Sequence, residues 1–115
     1  MRNFWKSFKI NYTPEFEKQL KRLSKRYKSL KNDLQQLILS LQNEPVRGQP
    51  LGYNCYKIRF AITSKGKGKS GGGRLITCLV VSEHEIFLIN AYDKSEEESI
   101  SIDDIKAIAK KYVSK

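Results

Sequence analysis

The sequence predicts one α+β domain, in which an N-terminal strand and a helical hairpin pack on an antiparallel sheet and a helix closes the chain. Apolar residues recur at helical spacing between Phe16 and Leu41, whereas they alternate with polar residues in the segments on either side. The 115 residues, 39% of them hydrophobic, suit one ordered core. We therefore expect residues 1–115 to form a single domain.

The first elements follow from residues 8–27. Phe8, Ile10 and Tyr12 alternate with polar residues, which is the period of a half-buried strand. Thr13 is a helix N-cap, followed by a proline and a first-turn acid, both typical of a helix start. Phe16, Leu20, Leu23 and Tyr27 then fall at spacings of a helical apolar face.

A second amphipathic helix follows a short break at Lys28-Ser29 and ends near Glu44-Pro45, so the two helices form an antiparallel hairpin. The outer faces of the hairpin carry many cations, which fit either a solvated face or a nucleic-acid surface. These residues are Lys18, Lys21, Arg22, Lys25, Arg26, Lys28 and Lys31.

Three strands and a helix are predicted for the rest of the chain. A turn-rich connection from Arg47 to Asn54 leads into a strand over residues 56–62, whose alternation places Lys57 and Arg59 on the face opposite the core. Residues 75–81 and 86–91 indicate two further strands joined through residues 82–85. After a mostly acidic run, residues 101–104 resemble a capping box that opens the last helix.

The composition narrows the class of partner. Net charge is +10, with 22 Lys+Arg against 12 Asp+Glu, which favours polyanions such as nucleic acid, anionic lipid or an acidic protein. No apolar run has the length of a signal peptide or a membrane span. Cys55 and Cys78 are interpreted as reduced core thiols in preference to a disulfide, and their spacing fits no zinc site. We expect a cytoplasmic protein that does not bind membranes.

The charge is most asymmetric in the middle of the chain. Between Pro45 and Ser82 there is no acidic residue. Seven cations lie there: Arg47, Lys57, Arg59, Lys65, Lys67, Lys69 and Arg74. The segment from Ser64 to Gly73, called the lysine loop below, is either a soluble hairpin tip or a phosphate-binding loop between strands. It is not a nucleotide-binding P-loop, because that motif needs a glycine where Thr63 stands and must open a helix.

Conventional catalytic sets are poor in this sequence. The one histidine, His84, lies between two glutamates in a predicted turn, and no carboxylate cluster stands beside the basic strands to hold a metal. A lysine among other cations is a candidate general base, because neighbouring positive charge favours its neutral form. Arginine is suited to stabilising a phosphorane. Any catalysis would then need neither metal nor cofactor.

Three segments together resemble the RelE/ParE superfamily of bacterial toxin–antitoxin toxins, closest to its RelE and HigB-like messenger-RNA interferases. They are Cys55-Tyr56-Lys57-Ile58-Arg59-Phe60, Gly72-Gly73-Arg74-Leu75-Ile76 and Ala91-Tyr92-Asp93-Lys94-Ser95-Glu96. The helical hairpin and the Pro50-Leu51-Gly52 approach to the basic strand fit the same family, so the likeness covers most of the chain.

The resemblance implies a ribosome-associated endoribonuclease whose catalytic residues are Lys57, Arg59, Arg74 and Lys94. In such toxins the 2′-hydroxyl of messenger RNA in the ribosomal A site attacks the adjacent phosphate, leaving a cyclic phosphate and a 5′-hydroxyl. By position, Lys57 or Arg59 assists deprotonation, Arg74 holds the phosphorane and Lys94 neutralises charge near the leaving group. We favour Lys57 as the base, because arginine is a poor one.

The RNA contacts predicted beyond that set come from the lysine loop and from one tyrosine. Lys65, Lys67 and Lys69 are expected to bind the ribosomal or messenger RNA backbone. Tyr92 is either a base-stacking residue or a core residue at a strand end. Ile100 stands roughly where RelE has a functional tyrosine, and the lysine loop is longer than the tight turn of RelE.

The resemblance also implies the partners: messenger RNA, the ribosome and a cognate antitoxin, with a toxin that is itself monomeric within a toxin–antitoxin hetero-oligomer. Two other functions remain open. A ParE-like member would act on DNA gyrase, although such members lack the basic catalytic set. A non-catalytic RNA or ribosome binder would use the same surface without cleavage.

Overall fold

The computed structural model describes residues 7–96 and 101–112, except for the side chain of Ile102. Strand β1 (Lys9–Tyr12) precedes helices α1 (Pro14–Arg26) and α2 (Leu30–Leu41). Strands β2 (Gln49–Gly52), β3 (Cys55–Phe60), β4 (Gly73–Val80) and β5 (Glu85–Asp93) follow, and α3 (Ile102–Tyr112) comes last. The predicted α+β class is confirmed, with the helical hairpin and the C-terminal helix in their expected places.

The five strands form one sheet in the order β1-β5-β4-β3-β2. The pairs β2–β3, β3–β4 and β4–β5 are antiparallel, as predicted, but β1 runs parallel to β5, so the sheet is mixed. The helical hairpin between β1 and the later strands allows this parallel arrangement, because it supplies the long connection that a parallel neighbour requires.

Strand β2 was not predicted, because its sequence Gln-Pro-Leu-Gly reads as a turn. Pro50 cannot donate a backbone hydrogen bond, and such a residue is tolerated on an edge strand. Strand β2 is such an edge, since it pairs only with β3. The segment from Arg47 to Asn54 is therefore a short strand between turns.

Each face of the sheet carries its own apolar cluster. The helical hairpin covers one face, where Phe16, Leu23 and Leu34 pack with Ile58 and Phe60. Helix α3 covers the other face through Ile105 and Ala109, which pack with Cys55, Ile76, Cys78, Ile89 and Tyr92. Thr13 caps α1 by accepting a hydrogen bond from the Phe16 amide, and Ser101 caps α3 by accepting one from the Asp104 amide. Both predicted caps are confirmed.

The two cysteines form a disulfide, so the preference for two reduced thiols is wrong. Cys55 of β3 lies directly opposite Cys78 of β4, with their Cα atoms 4.0 Å apart. Both residues are at most 1% exposed, on the face under α3. The spacing along the chain could not show this pairing, which depends on the β3–β4 register.

Candidate active site and nucleic-acid interface

Three predicted site residues lie side by side where β3 ends and β4 begins. Arg59 is directly opposite Arg74, and Lys57, two residues earlier on β3, shares the face of Arg59. We call Lys57, Arg59 and Arg74 the cationic row. Like charges directly opposite each other destabilise a sheet. The Arg59–Arg74 pair is therefore unfavourable in the unbound protein and would be relieved by an anion.

The members of the cationic row differ in exposure. Arg59 is exposed and Lys57 is half-buried. Arg74 is only 7% exposed, and it donates hydrogen bonds to the carbonyl oxygens of Lys69 (3.1 Å), Ser70 (3.2 Å) and Gly73 (2.9 Å). Burial lowers the pKa of the Arg74 guanidinium, and the charge of Arg59 acts in the same direction. Arg74 thus ties the lysine loop to the row.

Tyr92 continues the row onto β5, where it is directly opposite Arg74. It is 7% exposed and belongs to the apolar cluster under α3, and burial raises the pKa of its phenol. This packing favours the interpretation of Tyr92 as a core residue over that of a base-stacking residue. Ile100 lies outside the described residues.

The lysines of the lysine loop occupy different environments. Lys67 and Lys69 are exposed. Lys65 is turned inward, with its Nζ 2.6 Å from Oδ1 of Asp93 and its side chain 11% exposed. Of the three predicted RNA contacts, Lys65 is therefore the one whose ammonium is already held by a carboxylate.

Lys94 is separated from the cationic row by the backbone turn after β5. It is exposed, and it lines a cleft of about 290 Å³ together with Lys65, Lys67, Gly71 and Ser95. We call this the lysine cleft. The Lys94 amide donates to the Gly72 carbonyl oxygen at 3.0 Å, which fixes one wall of the cleft to the loop.

A buried acid beside the lysine cleft was not predicted as a site residue. The Asp93 carboxylate is fully buried and accepts hydrogen bonds from Tyr27, Lys65 and the Ser95 amide. Burial alone would raise the pKa of Asp93, but the bonds from Lys65 and Tyr27 hold it well below its usual range. In the sequence Asp93 simply begins an acidic run, and no local pattern pairs it with Lys65.

Glu96 extends this acidic centre to α1. It accepts two hydrogen bonds from Arg22, at 2.6 and 3.0 Å, and one from Arg26 at 3.1 Å. The Arg22 hydrogen bond is the main cause that lowers the pKa of Glu96. Two of the cations that could have formed a nucleic-acid surface on the hairpin are therefore engaged within the protein.

The start of the lysine loop is held by polar contacts to α2. Asp33 accepts hydrogen bonds from the Thr63 amide (2.8 Å) and hydroxyl (2.7 Å), and Ser29 accepts one from the Ser64 amide (2.8 Å). Together with the Arg74 bonds these contacts fix both ends of the loop. These contacts favour the interpretation of the segment as a structured phosphate-binding loop over its interpretation as a soluble hairpin tip.

Two further features bear on function. Within residues 7–96 and 101–112, no group of three His, Cys, Asp or Glu side chains is placed to hold a metal ion. In the same part of the chain, no helix is long and apolar enough to cross a membrane.

The fold and the cationic row define a class of small basic α+β proteins with a positively charged site at one end of the sheet. A family model described as the RelE toxin of the RelE/RelB toxin–antitoxin system matches residues 16–115. The chain therefore belongs to the RelE toxin family. No curated protein sequence matches it.

Three solved structures are similar to this chain, and the first of them supports the fold. A double arginine-to-alanine mutant of the E. coli toxin RelE in the free state has a TM-score of 0.54 and 17% identity, covering 93% of this chain and 99% of that chain. The isolated E. coli RelE toxin has a TM-score of 0.46 and 21% identity, covering 90% and 98%. A chain of the E. coli RelBE toxin–antitoxin complex has a TM-score of 0.44 and 22% identity, covering 76% and 96%.

Proposed function

We propose that this chain is a metal-independent endoribonuclease toxin that cleaves messenger RNA in the ribosomal A site and so inhibits translation. The observation that carries the proposal is the cationic row, in which Arg59 faces Arg74 across β3 and β4 with Lys57 on the same face. Arg74 holds the lysine loop, but that role does not require a second arginine opposite it, and the pair is repulsive. A phosphodiester in its transition state would relieve that repulsion.

The chemistry requires a base, a group that stabilises negative charge and help for the leaving group. In the proposed scheme Lys57 removes the proton of the 2′-hydroxyl, which then attacks the adjacent phosphorus. Arg59, which is exposed, contacts the phosphorane directly, while buried Arg74 adds its charge from the neighbouring strand. Lys94 donates a proton to the departing 5′-oxygen and so neutralises its charge. The products are a cyclic phosphate and a 5′-hydroxyl end.

The proposed protein partner is an acidic antitoxin segment that covers the cationic row and keeps the toxin, itself a monomer, inactive in a toxin–antitoxin hetero-oligomer. Net charge of +10 and the exposed Arg59 and Lys67 support an acidic partner. The family model that matches the chain is described as the toxin of a toxin–antitoxin system, which supports an antitoxin as the partner.

The test is induced expression in a bacterial host, with growth and messenger-RNA 5′ ends followed together. The variant Lys57→Ala/Arg59→Ala is compared with Lys18→Ala/Lys21→Ala, which changes net charge equally on the exposed side of α1. We expect wild type and the α1 variant to arrest growth and to produce cuts inside translated frames with 5′-hydroxyl ends, and the row variant to produce neither.

Other outcomes would overturn the proposal in favour of a different function. Arrest without cuts, accompanied by gyrase inhibition, would indicate a ParE-like activity. Arrest without cuts, with the protein bound to ribosomes, would indicate a non-catalytic binder. Cuts that persist in Lys57→Ala/Arg59→Ala would show that the active site is not at the cationic row.

A further inference from the structure

The lysine cleft is a concave cationic site whose lining contains none of the residues of the cationic row. Lys65, Lys67 and Lys94 contribute three ammonium groups to its lining, and one carboxylate, that of Asp93, pairs with Lys65. Within the described part of the chain, neither Lys67 nor Lys94 forms an ion pair. The cleft therefore keeps an excess of positive charge that a phosphate group can neutralise.

The position of Lys67 depends on its contact with Gly71, which also lines the cleft. A Cβ atom added to Gly71 would lie 2.8 Å from Cβ and 3.3 Å from Cδ of Lys67. The Lys67 stem thus packs against the bare backbone of Gly71. Lys67 is held at the cleft by packing, whereas Lys69 of the same loop is exposed and does not line the cleft.

The lysine cleft lies where β5 ends, beside the strand pair that carries Arg74. Arg74 pairs with Tyr92, Gly73 pairs with Asp93, and Lys94 comes immediately after β5. The chain from Tyr92 to Lys94 spans at most about 7 Å, because each residue extends by no more than about 3.6 Å. This separation is comparable with the spacing of successive phosphates on an extended single strand, so neighbouring phosphates of one RNA can reach the row and the cleft together.

We propose that the lysine cleft binds the phosphodiester that follows the reacting one on its 3′ side, with Lys67 as the main contact. This inference rests on the proposed function, in which Lys94 stands near the leaving oxygen. That oxygen belongs to the nucleotide on the 3′ side, whose next phosphate then enters the cleft. The RNA strand therefore runs, from 5′ to 3′, from the cationic row to the cleft.

The test uses an RNA trinucleotide, which has two phosphodiester links and carries 2′-O-methyl groups to prevent cleavage. Each link is replaced in turn by an uncharged methylphosphonate, and binding is measured by NMR titration at low salt. We expect neutralising the 3′ link to weaken binding to wild type on the order of tenfold. In Lys67→Gln the same replacement should cost nothing, because the contact is already lost.

Two variants control for charge and for position. Lys69→Gln removes an equal charge from the same loop; it should lower the overall affinity, but because Lys69 does not line the cleft it should keep the full cost of neutralising the 3′ link. Gly71→Ala removes no charge but displaces the Lys67 stem, and it should reduce that cost. Arg59→Gln should suppress the cost of neutralising the 5′ link and leave the 3′ link unaffected.

The outcomes separate this inference from the proposed function. Because the measurement is of binding alone, coupling of Lys67 to the 3′ link supports the cleft even if messenger RNA is not cut in cells. Coupling of Lys67 to the 5′ link, equal effects of Lys67→Gln and Lys69→Gln, or absence of binding would each overturn it. If messenger RNA is cut in cells but Lys67 is not coupled to the 3′ link, the proposed function stands and the proposed role of the lysine cleft is wrong.

Discussion

Lys65 and Asp93 form a buried ion pair, with Nζ of Lys65 2.6 Å from Oδ1 of Asp93 and the Asp93 side chain fully buried. The pair joins the start of the lysine loop to the end of β5, which is the point where Lys94 begins the next turn. It therefore determines the relative position of two walls of the lysine cleft. Lys65 was predicted to contact RNA, but in this structure its ion pair with Asp93 positions the residues of the candidate site.

Lys65→Met should destabilise the fold by about 3 kcal/mol, because it leaves the Asp93 carboxylate buried without its main cationic partner. Lys67→Met is the matched control, since Lys67 is exposed in the same loop, and its effect should stay within about 0.5 kcal/mol. Urea denaturation of both variants measures the difference. Equal effects of the two substitutions would show that the ion pair contributes no stability.

The Cys55–Cys78 disulfide should contribute about 3 kcal/mol to the free energy of unfolding, because it closes a chain segment with a sequence separation of 23. Dithiothreitol should therefore lower the denaturation midpoint of the wild type. The variant Cys55→Ser/Cys78→Ser should match the reduced wild type and show no response to the reductant. Two titratable thiols in the untreated, denatured wild type would contradict the prediction.

The alternation of β3 was readable from the sequence because a strand with one buried face imposes a period of two. Ile58 and Phe60 face the helical hairpin, so Lys57 and Arg59 had to face the other side. The hairpin that joins β3 to β4 predicted that Arg74 lies at the same end of the sheet as Arg59, but not that the two residues are directly opposite each other. The strand over Pro50 was missed because proline and glycine indicate a turn, and an edge strand tolerates them.

The contacts that complete the candidate site could not be predicted, because they join residues that are distant in sequence and lie in irregular segments. Lys65 and Asp93 are 28 positions apart, and the Arg22–Glu96 contact spans 74. The Cys55–Cys78 pairing depends on a register that the lysine loop leaves open. Periodicity in a sequence predicts which face of an element a residue occupies. It does not predict contacts between distant residues, because these depend on the conformation of the loops that connect the elements.

Arg74→Lys should loosen the lysine loop while preserving charge. The guanidinium donates to three carbonyl oxygens, and a lysine ammonium cannot reproduce that planar fork. We expect a loss of about 1–2 kcal/mol in unfolding free energy and faster tryptic cleavage after Lys67 and Lys69. Arg59→Lys, on the exposed neighbour, should leave the loop as resistant as in wild type. Equal protease resistance of the two variants would show that the Arg74 hydrogen bonds do not hold the loop in place.

Glu15 should make the docking of α3 sensitive to acid. Its carboxylate accepts hydrogen bonds from the Tyr112 hydroxyl at 2.6 Å and from Lys111 Nζ at 2.9 Å. The Tyr112 bond is the main cause that lowers the pKa of Glu15 from 4.5 to about 2. Because the folded-state pKa lies below the ordinary value, the contact is fully present above pH 4.5 and is lost as the pH falls towards 2.

The measurement is NMR of the Tyr112 and Phe87 rings, which stack with their centroids 5.7 Å apart. In wild type their resonances should shift over that acidic range. In Glu15→Gln they should resemble the acid form already at neutral pH, because the amide carries no charge for Lys111 to pair with. Glu17→Gln, a neighbouring exposed position on α1, should behave as wild type. A Glu15→Gln variant that keeps the wild-type acid response would assign that response to the buried Asp93 centre instead, since the pKa of Asp93 is also lowered.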